Sequence, residues 1–183
     1  MQKKTAWVWG PEQQKAFNKS KQLLCSSDVL VHFDSSKELV LACDASPYGI
    51  GAVLAHRMDT GEERPIGYAS RTLNSAEKNY SQLEKEGLAI VFAVKKFHQY
   101  LYGHSFTIVT DHKPLLGLFG ETKAVPTLAA SRIQRWALTL AAYEYTLVFK
   151  AGVNNSNADC LSRLPLSECP TVDRTPVPEI GRA

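Results

Sequence analysis

Apolar and polar positions alternate along this chain in blocks that define its elements. Between Gly10 and Cys25, Ala16, Phe17, Leu23 and Leu24 give an otherwise polar stretch one apolar side. Gly10-Pro11-Glu12 opens it as a helix, with proline near the first helical position and an acid in the first turn. The helix is predicted to end near Cys25, before Ser26-Ser27-Asp28. Leu39–Asp44 is apolar on both faces, which predicts a central strand. Ser46-Pro47-Tyr48-Gly49 has turn chemistry, and Gly49–Arg57 returns as a second strand. Asp59–Glu62 is a polar turn and Pro65–Thr72 a third strand, so the three form an antiparallel meander.

One long helix is predicted next. Asn74 with Glu77 resembles a capping box. Tyr80, Leu83, Gly87, Ile90, Val91, Val94, Phe97 and Leu101 keep helical spacing, and Gly103 closes the helix. Phe106–Asp111 follows as a strand, Pro114–Leu118 as a short helix and Glu121–Pro126 as a loop. Thr127 begins a helix with Ala129, Ile133, Trp136, Ala137 and Leu140 on one face. Tyr143–Phe149 alternates as a fifth strand, and a short helix lies near Asn155–Leu161. The order predicts an α/β fold, a five-stranded mixed sheet flanked by helices. Residues 1–35 read as a lead-in and 36–164 as the folded domain. Pro165–Ala183, which holds four of the nine prolines, reads as a linker or disordered tail.

Composition narrows the class only a little. The 183 residues fit one domain, and 44% apolar residues are enough for a core. A net charge of +3 permits a polyanionic partner without requiring one. Cys25, Cys43, Cys160 and Cys169 form no C-x-x-C pair, which predicts free thiols in a reducing compartment. The longest apolar run, Leu88–Val94, is too short to span a membrane, and the first ten residues lack a signal-peptide core. These features predict a soluble, cytoplasmic chain.

The chemistry begins with two strands that run straight into an aspartate, Leu39–Asp44 and Phe106–Asp111. A buried charge is costly unless it is paired. If the two strands lie side by side in parallel, joined by a right-handed crossover, their ends coincide. Ligands of such sheets sit beyond those ends. Two aspartates there call for a cation, and a hard, oxygen-preferring ion such as Mg²⁺ suits them. On the long helix Glu84 and Glu86 flank the apolar stripe, one on each side, so helical geometry does not choose between them. Asp159 opens the last short helix and is a fourth candidate.

These residues fall into words that resemble the ribonuclease H region of reverse transcriptases, specifically those of gypsy-type LTR retrotransposons. The words are Ala42-Cys43-Asp44-Ala45-Ser46, Gly49–Leu54, Tyr68-Ala69-Ser70-Arg71, Glu84–Val91, Thr110–Leu115, Arg135-Trp136 and Asn157–Arg163. They keep the family's order across about Leu39 to Leu164. The stretch from Trp7 to Asp34 resembles the segment that joins such a domain to the polymerase, and the proline-rich end resembles the linker toward an integrase. The resemblance implies a ribonuclease H-like fold in a piece of a Pol polyprotein. It also implies an Asp-Glu-Asp-Asp catalytic set made of Asp44, Glu86, Asp111 and Asp159, which selects Glu86 over Glu84.

The implied activity is hydrolysis of the RNA strand of an RNA–DNA hybrid with two Mg²⁺ ions, Mn²⁺ being a possible substitute. The resemblance assigns Asp44 to both ions, Glu86 and Asp111 to one and Asp159 to the other. Ser46, Gln82 and Asn155 match positions that meet the hybrid or shape the site, and Lys113, Arg132, Arg135 and Arg163 are candidates for contact with phosphate. A hybrid is read through phosphates and 2′-hydroxyls in a wide minor groove. No basic insertion precedes the strand Phe106–Asp111, so the polymerase domain is the expected partner in holding substrate.

One position departs from the pattern. Phe149 stands where relatives carry His or Tyr, ten residues before the last aspartate. A catalytically silent module derived from the same fold is therefore the alternative. A retroviral-type aspartic protease would need Asp-Thr/Ser-Gly, but the triplets here are Asp44-Ala45-Ser46 and Asp111-His112-Lys113. An integrase core uses three acids in Asp-Asp-Glu order, which the order here disfavours.

Overall fold

A computed structural model describes residues 9–120, 131–151 and 155–163. In chain order its elements are α1 (Pro11–Leu24), β1 (Glu38–Ala45), β2 (Gly49–Arg57), β3 (Glu63–Thr72), α2 (Ser75–Lys78) and α3 (Gln82–Lys96). There follow α4 (His98–Leu101), β4 (Ser105–Thr110), α5 (Leu115–Phe119), α6 (Ser131–Leu140), β5 (Glu144–Phe149) and α7 (Ser156–Arg163). The five strands form one mixed sheet in the order β3-β2-β1-β4-β5. β1, β2 and β3 are the predicted antiparallel meander, while β1–β4 and β4–β5 are parallel. β1 is thus the central strand, which is why both of its faces are apolar. The loop predicted at Glu121–Pro126, the start of the helix at Thr127 and the tail from Pro165 lie outside the described residues.

The single long helix predicted from Asn74 to Leu101 is three helices, α2, α3 and α4. The Asn74–Glu77 box is real but opens only the four-residue α2. Ser81 then takes an extended conformation, ψ 161°, and caps a new helix. Its hydroxyl accepts from Glu84 N at 3.3 Å, and Glu84 Oε2 accepts from Ser81 N at 3.0 Å. Helical spacing continues from α3 into α4 because both bury residues in the same core, whereas α2 buries only Glu77. Gly103, at φ +79°, ends the run as expected of a residue free of the left-handed penalty.

The core lies between one sheet face and α3, α5 and α6. Leu39, Leu41, Cys43, Ile50, Ala52 and Leu54 meet Ile90, Val94, Leu115, Phe119, Ile133 and Leu140 there. Alternation along the strands sends Val40, Ala42, Val53 and Ala55 to the other face, toward Asn155 and Asn157. That face is covered by α7. The lead-in is different: α1 buries no residue, and Phe17, Leu23 and Leu24 remain exposed. The segment after it is held at buried His56, whose Nε2 accepts from Asp34 N at 2.9 Å.

Candidate active site

The parallel pairing of β1 with β4 decides where the first two acids meet. Their last paired residues are Ala42 and Val109. Asp44 and Asp111 each lie two residues further on, so both emerge at the same sheet end. Glu86 reaches the same point from the second turn of α3. One carboxylate oxygen from each of Asp44, Glu86 and Asp111 lies within 4.8 Å of the other two. Asp44 is 4% exposed and Glu86 3%.

Such a group resists ionisation. Burial, then the charges of Asp44 and Asp111, push the Glu86 carboxyl up to about 8, against the hydrogen bonds from Gln82 and the Ala45 backbone. Burial also raises Asp44, a shift the bond from Ser162 opposes and the charges of Asp111 and Asp159 reinforce. Three carboxylates with an all-oxygen donor set, two of them out of water, are what a hard divalent cation neutralises. The cluster fits such an ion on its own chemistry.

The surrounding bonds aim these carboxylates. Gln82 Nε2 donates to Glu86 Oε1 at 2.6 Å and also lies 3.2 Å from the Ala45 carbonyl, bridging α3 to the end of β1. The buried Ser162 hydroxyl donates to Asp44 Oδ2. Glu84 is placed elsewhere: it caps α3 and pairs with Arg132, which also lies over the Tyr80 ring at 3.9 Å. The backbone and hydroxyl bonds of Ser81 hold the Glu84 carboxyl below its usual range.

The other sequence-derived candidates are spread around this centre. Asp159 lies outside the three-carboxylate group, with Oδ1 accepting from Arg163 Nε at 2.5 Å. Its charge still reaches Asp44. Ser46 is buried, and its hydroxyl donates to the Ser162 carbonyl at 2.7 Å. Asn155 is also buried and donates to the Cys43 carbonyl at 3.0 Å. Lys113 and Arg163 are exposed. Phe149 ends β5 opposite Thr110 and is 41% exposed. No local pattern in the sequence announces the role of Ser162, because its partner is 118 residues away.

A family model described as the RNase H-like domain found in reverse transcriptase matches residues 34–143. The chain belongs to this family. The domain is 40% identical over 152 residues to a retrovirus-related Pol polyprotein from transposon opus of Drosophila melanogaster, covering 82% of this chain and 15% of the relative. It is 36% identical over 182 residues to the transposon Tf2-3 polyprotein of Schizosaccharomyces pombe, covering 98% of this chain and 13% of that one. The chain therefore spans about a seventh of the length of these relatives.

Solved structures share the fold at low identity. A foamy viral protease–reverse transcriptase in complex with double-stranded DNA gives a TM-score of 0.61 at 19% identity, covering 78% of this chain and 30% of that one. The same viral protein in complex with an RNA/DNA hybrid gives 0.56 at 19% identity, over 93% and 22%. RNase H1 from the halophilic archaeon Halobacterium salinarum gives 0.52 at 13% identity, over 68% and 93%. Among the described residues no helix is long and apolar enough to cross a membrane.

Proposed function

We propose that this domain hydrolyses the RNA strand of RNA–DNA hybrids during reverse transcription, with Asp44, Glu86, Asp111 and Asp159 as its catalytic acids. The observation that carries this reading is the meeting of Asp44, Glu86 and Asp111 at the shared end of two parallel strands. Membership in the reverse-transcriptase RNase H-like family supports it. The natural occupant is Mg²⁺, with Mn²⁺ as a substitute. When bound, the ions would supply Lewis acidity toward the attacking water and offset charge on the phosphate being cleaved.

The chain's own residues do the positioning. Asp44, held by Ser162, and Glu86, held by Gln82, present fixed oxygens from two different elements. Asp111 adds a third at the end of β4. Asp159 begins on Arg163, so it is the acid whose partner must change for it to join the others. Arg163 and Lys113 are exposed beside the acids and are the side chains assigned to substrate phosphate. Ser46 and Asn155 hold the β1 end and α7 in place for the hybrid. The polymerase domain of a parent polyprotein would supply further grip, in the cytoplasm or a particle formed there, with residues 36–164 as the working unit.

A catalytically silent module is the rival reading, favoured by Phe149 alone. A labelled RNA–DNA hybrid incubated with the full chain and Mg²⁺, with chelator, and with the Asp111→Asn variant separates the two. Metal-dependent cleavage that disappears in the variant supports the enzyme. Folded protein that leaves the hybrid intact at high concentration sinks it.

A further inference from the structure

Two serines join α7 to the end of β1. Ser46 Oγ accepts from Tyr48 N at 3.1 Å and Gly49 N at 3.0 Å, and donates to the Ser162 carbonyl at 2.7 Å. Ser162, which is fully buried, turns its own hydroxyl onto Asp44 Oδ2. This approach needs Gly51, the residue paired with Asp44 across the β1–β2 ladder. A Cβ at Gly51 would lie 2.7 Å from the Ala158 carbonyl, from Leu161 Cβ and from Ser162 N. The missing side chain lets the backbone of α7 settle directly over the first aspartate.

A serine hydroxyl carries one proton. At Ser162 two acceptors compete for it, Asp44 Oδ2 and the Asp159 carbonyl one turn back, 3.0 Å away. Back-bonding within the helix would satisfy the serine without any partner on the sheet. A carboxylate acceptor makes the stronger bond, roughly twice that of a neutral one. The proton therefore links α7 to the sheet through an acid of the site. The helix so anchored is the one that carries Asp159.

We infer that Ser162 is a positioning residue that couples the docking of α7 to cation binding at the carboxylate cluster. This rests on the metal-dependent reading above. With its second oxygen fixed by Ser162, the Asp44 carboxylate has one orientation to offer a cation. A cation that fixes Asp44 in turn holds Ser162 and the α7 backbone. Such coupling is reciprocal: whatever loosens α7 weakens cation binding, and cation binding tightens α7.

The test uses the full chain with Mn²⁺ as the probe. Calorimetry gives the affinity, and amide hydrogen exchange gives the protection of residues 158–163. In the wild type, protection of α7 should rise with Mn²⁺. Ser162→Ala should bind Mn²⁺ about 10-fold more weakly, within the range known for partners of metal ligands, and lose the metal-induced protection. Ser162→Thr, which keeps the hydroxyl, should recover both. The inference is overturned if wild-type α7 ignores bound Mn²⁺, a result that requires no variant to fold. It is equally overturned if folded Ser162→Ala matches the wild type in both readouts. If the wild type and Asp44→Asn bind Mn²⁺ alike, the metal-site reading itself fails and the coupling falls with it.

Discussion

Glu84 and Glu86 are two residues apart on α3, yet one caps the helix and pairs with Arg132 while the other is buried beside Asp44 and Asp111. The two substitutions should therefore separate stability from activity. Glu84→Gln weakens a cap and a part-exposed ion pair, at a cost of about 0.5–1 kcal/mol, and should leave hybrid cleavage near wild type. Glu86→Gln should lower cleavage more than ~100-fold, beyond what losing a partner of a metal ligand costs. Thermal melting beside a cleavage assay checks both, and equal activity in the two variants would contradict the assignment.

Stability without metal should fall as pH rises. Glu86 titrates in the folded protein near 8, above its ordinary value of 4.5, and Asp44 is shifted in the same direction. Between these pH values the folded state holds protons that the unfolded chain has released, so raising the pH favours unfolding. The stabilising contribution is fully present below about pH 4.5 and gone above about pH 8. Melting of the chelated protein should show a loss of up to about 5 kcal/mol across that window, flattened in Glu86→Gln. Added Mg²⁺ should raise the melting temperature more at pH 8 than at pH 6.

Gly51→Ala should dislodge α7. The added methyl would meet backbone atoms of the helix, which cannot rotate away. Overpacking of this kind costs about 1–3 kcal/mol. The variant should melt at a lower temperature, and hydrogen exchange should speed up in α7 before it does in β1. Alanine at this position with unchanged α7 protection would show that the close approach is not maintained.

Phe149→His tests the departure from the family pattern. The side chain is 41% exposed beside Thr110, so the substitution should change stability by no more than is usual at a surface, about 0.5 kcal/mol. A titratable group there should raise turnover, by up to the ~100-fold at the low end of general acid–base catalysis. A single-turnover cleavage rate reads the effect, and no change would remove proton transfer from that position's role.

Most of the sheet was legible because strand burial has a short, local signature. Leu39–Asp44 and Gly49–Arg57 are apolar in nearly every position, and both strands are buried on both faces. The break at Ser81 is masked in the sequence although Ser81 and Glu84 form a second capping box, because the apolar spacing continues through it. The meeting of Asp44 with Asp111 followed from strand order. The choice of Glu86 did not follow from periodicity: both glutamates flank the stripe, and only contact with Arg132 or with Asp44 tells them apart. Ser162 and Gly51 were illegible for a related reason, since what matters at each is an atom far away in the sequence.

The pairing of β1 with β4 makes strand length a functional quantity. Ala42 faces Val109, and the same two-residue step then delivers Asp44 and Asp111. One residue inserted within Phe106–Val109 would turn every later side chain of β4 to the opposite face. Asp111 would then point away from Asp44 although every acid and every helix remained in the chain. One-residue insertions and deletions in this short strand should thus be more damaging than most substitutions within it, whereas the exposed turn at Asp59–Glu62 can change length without moving any acid.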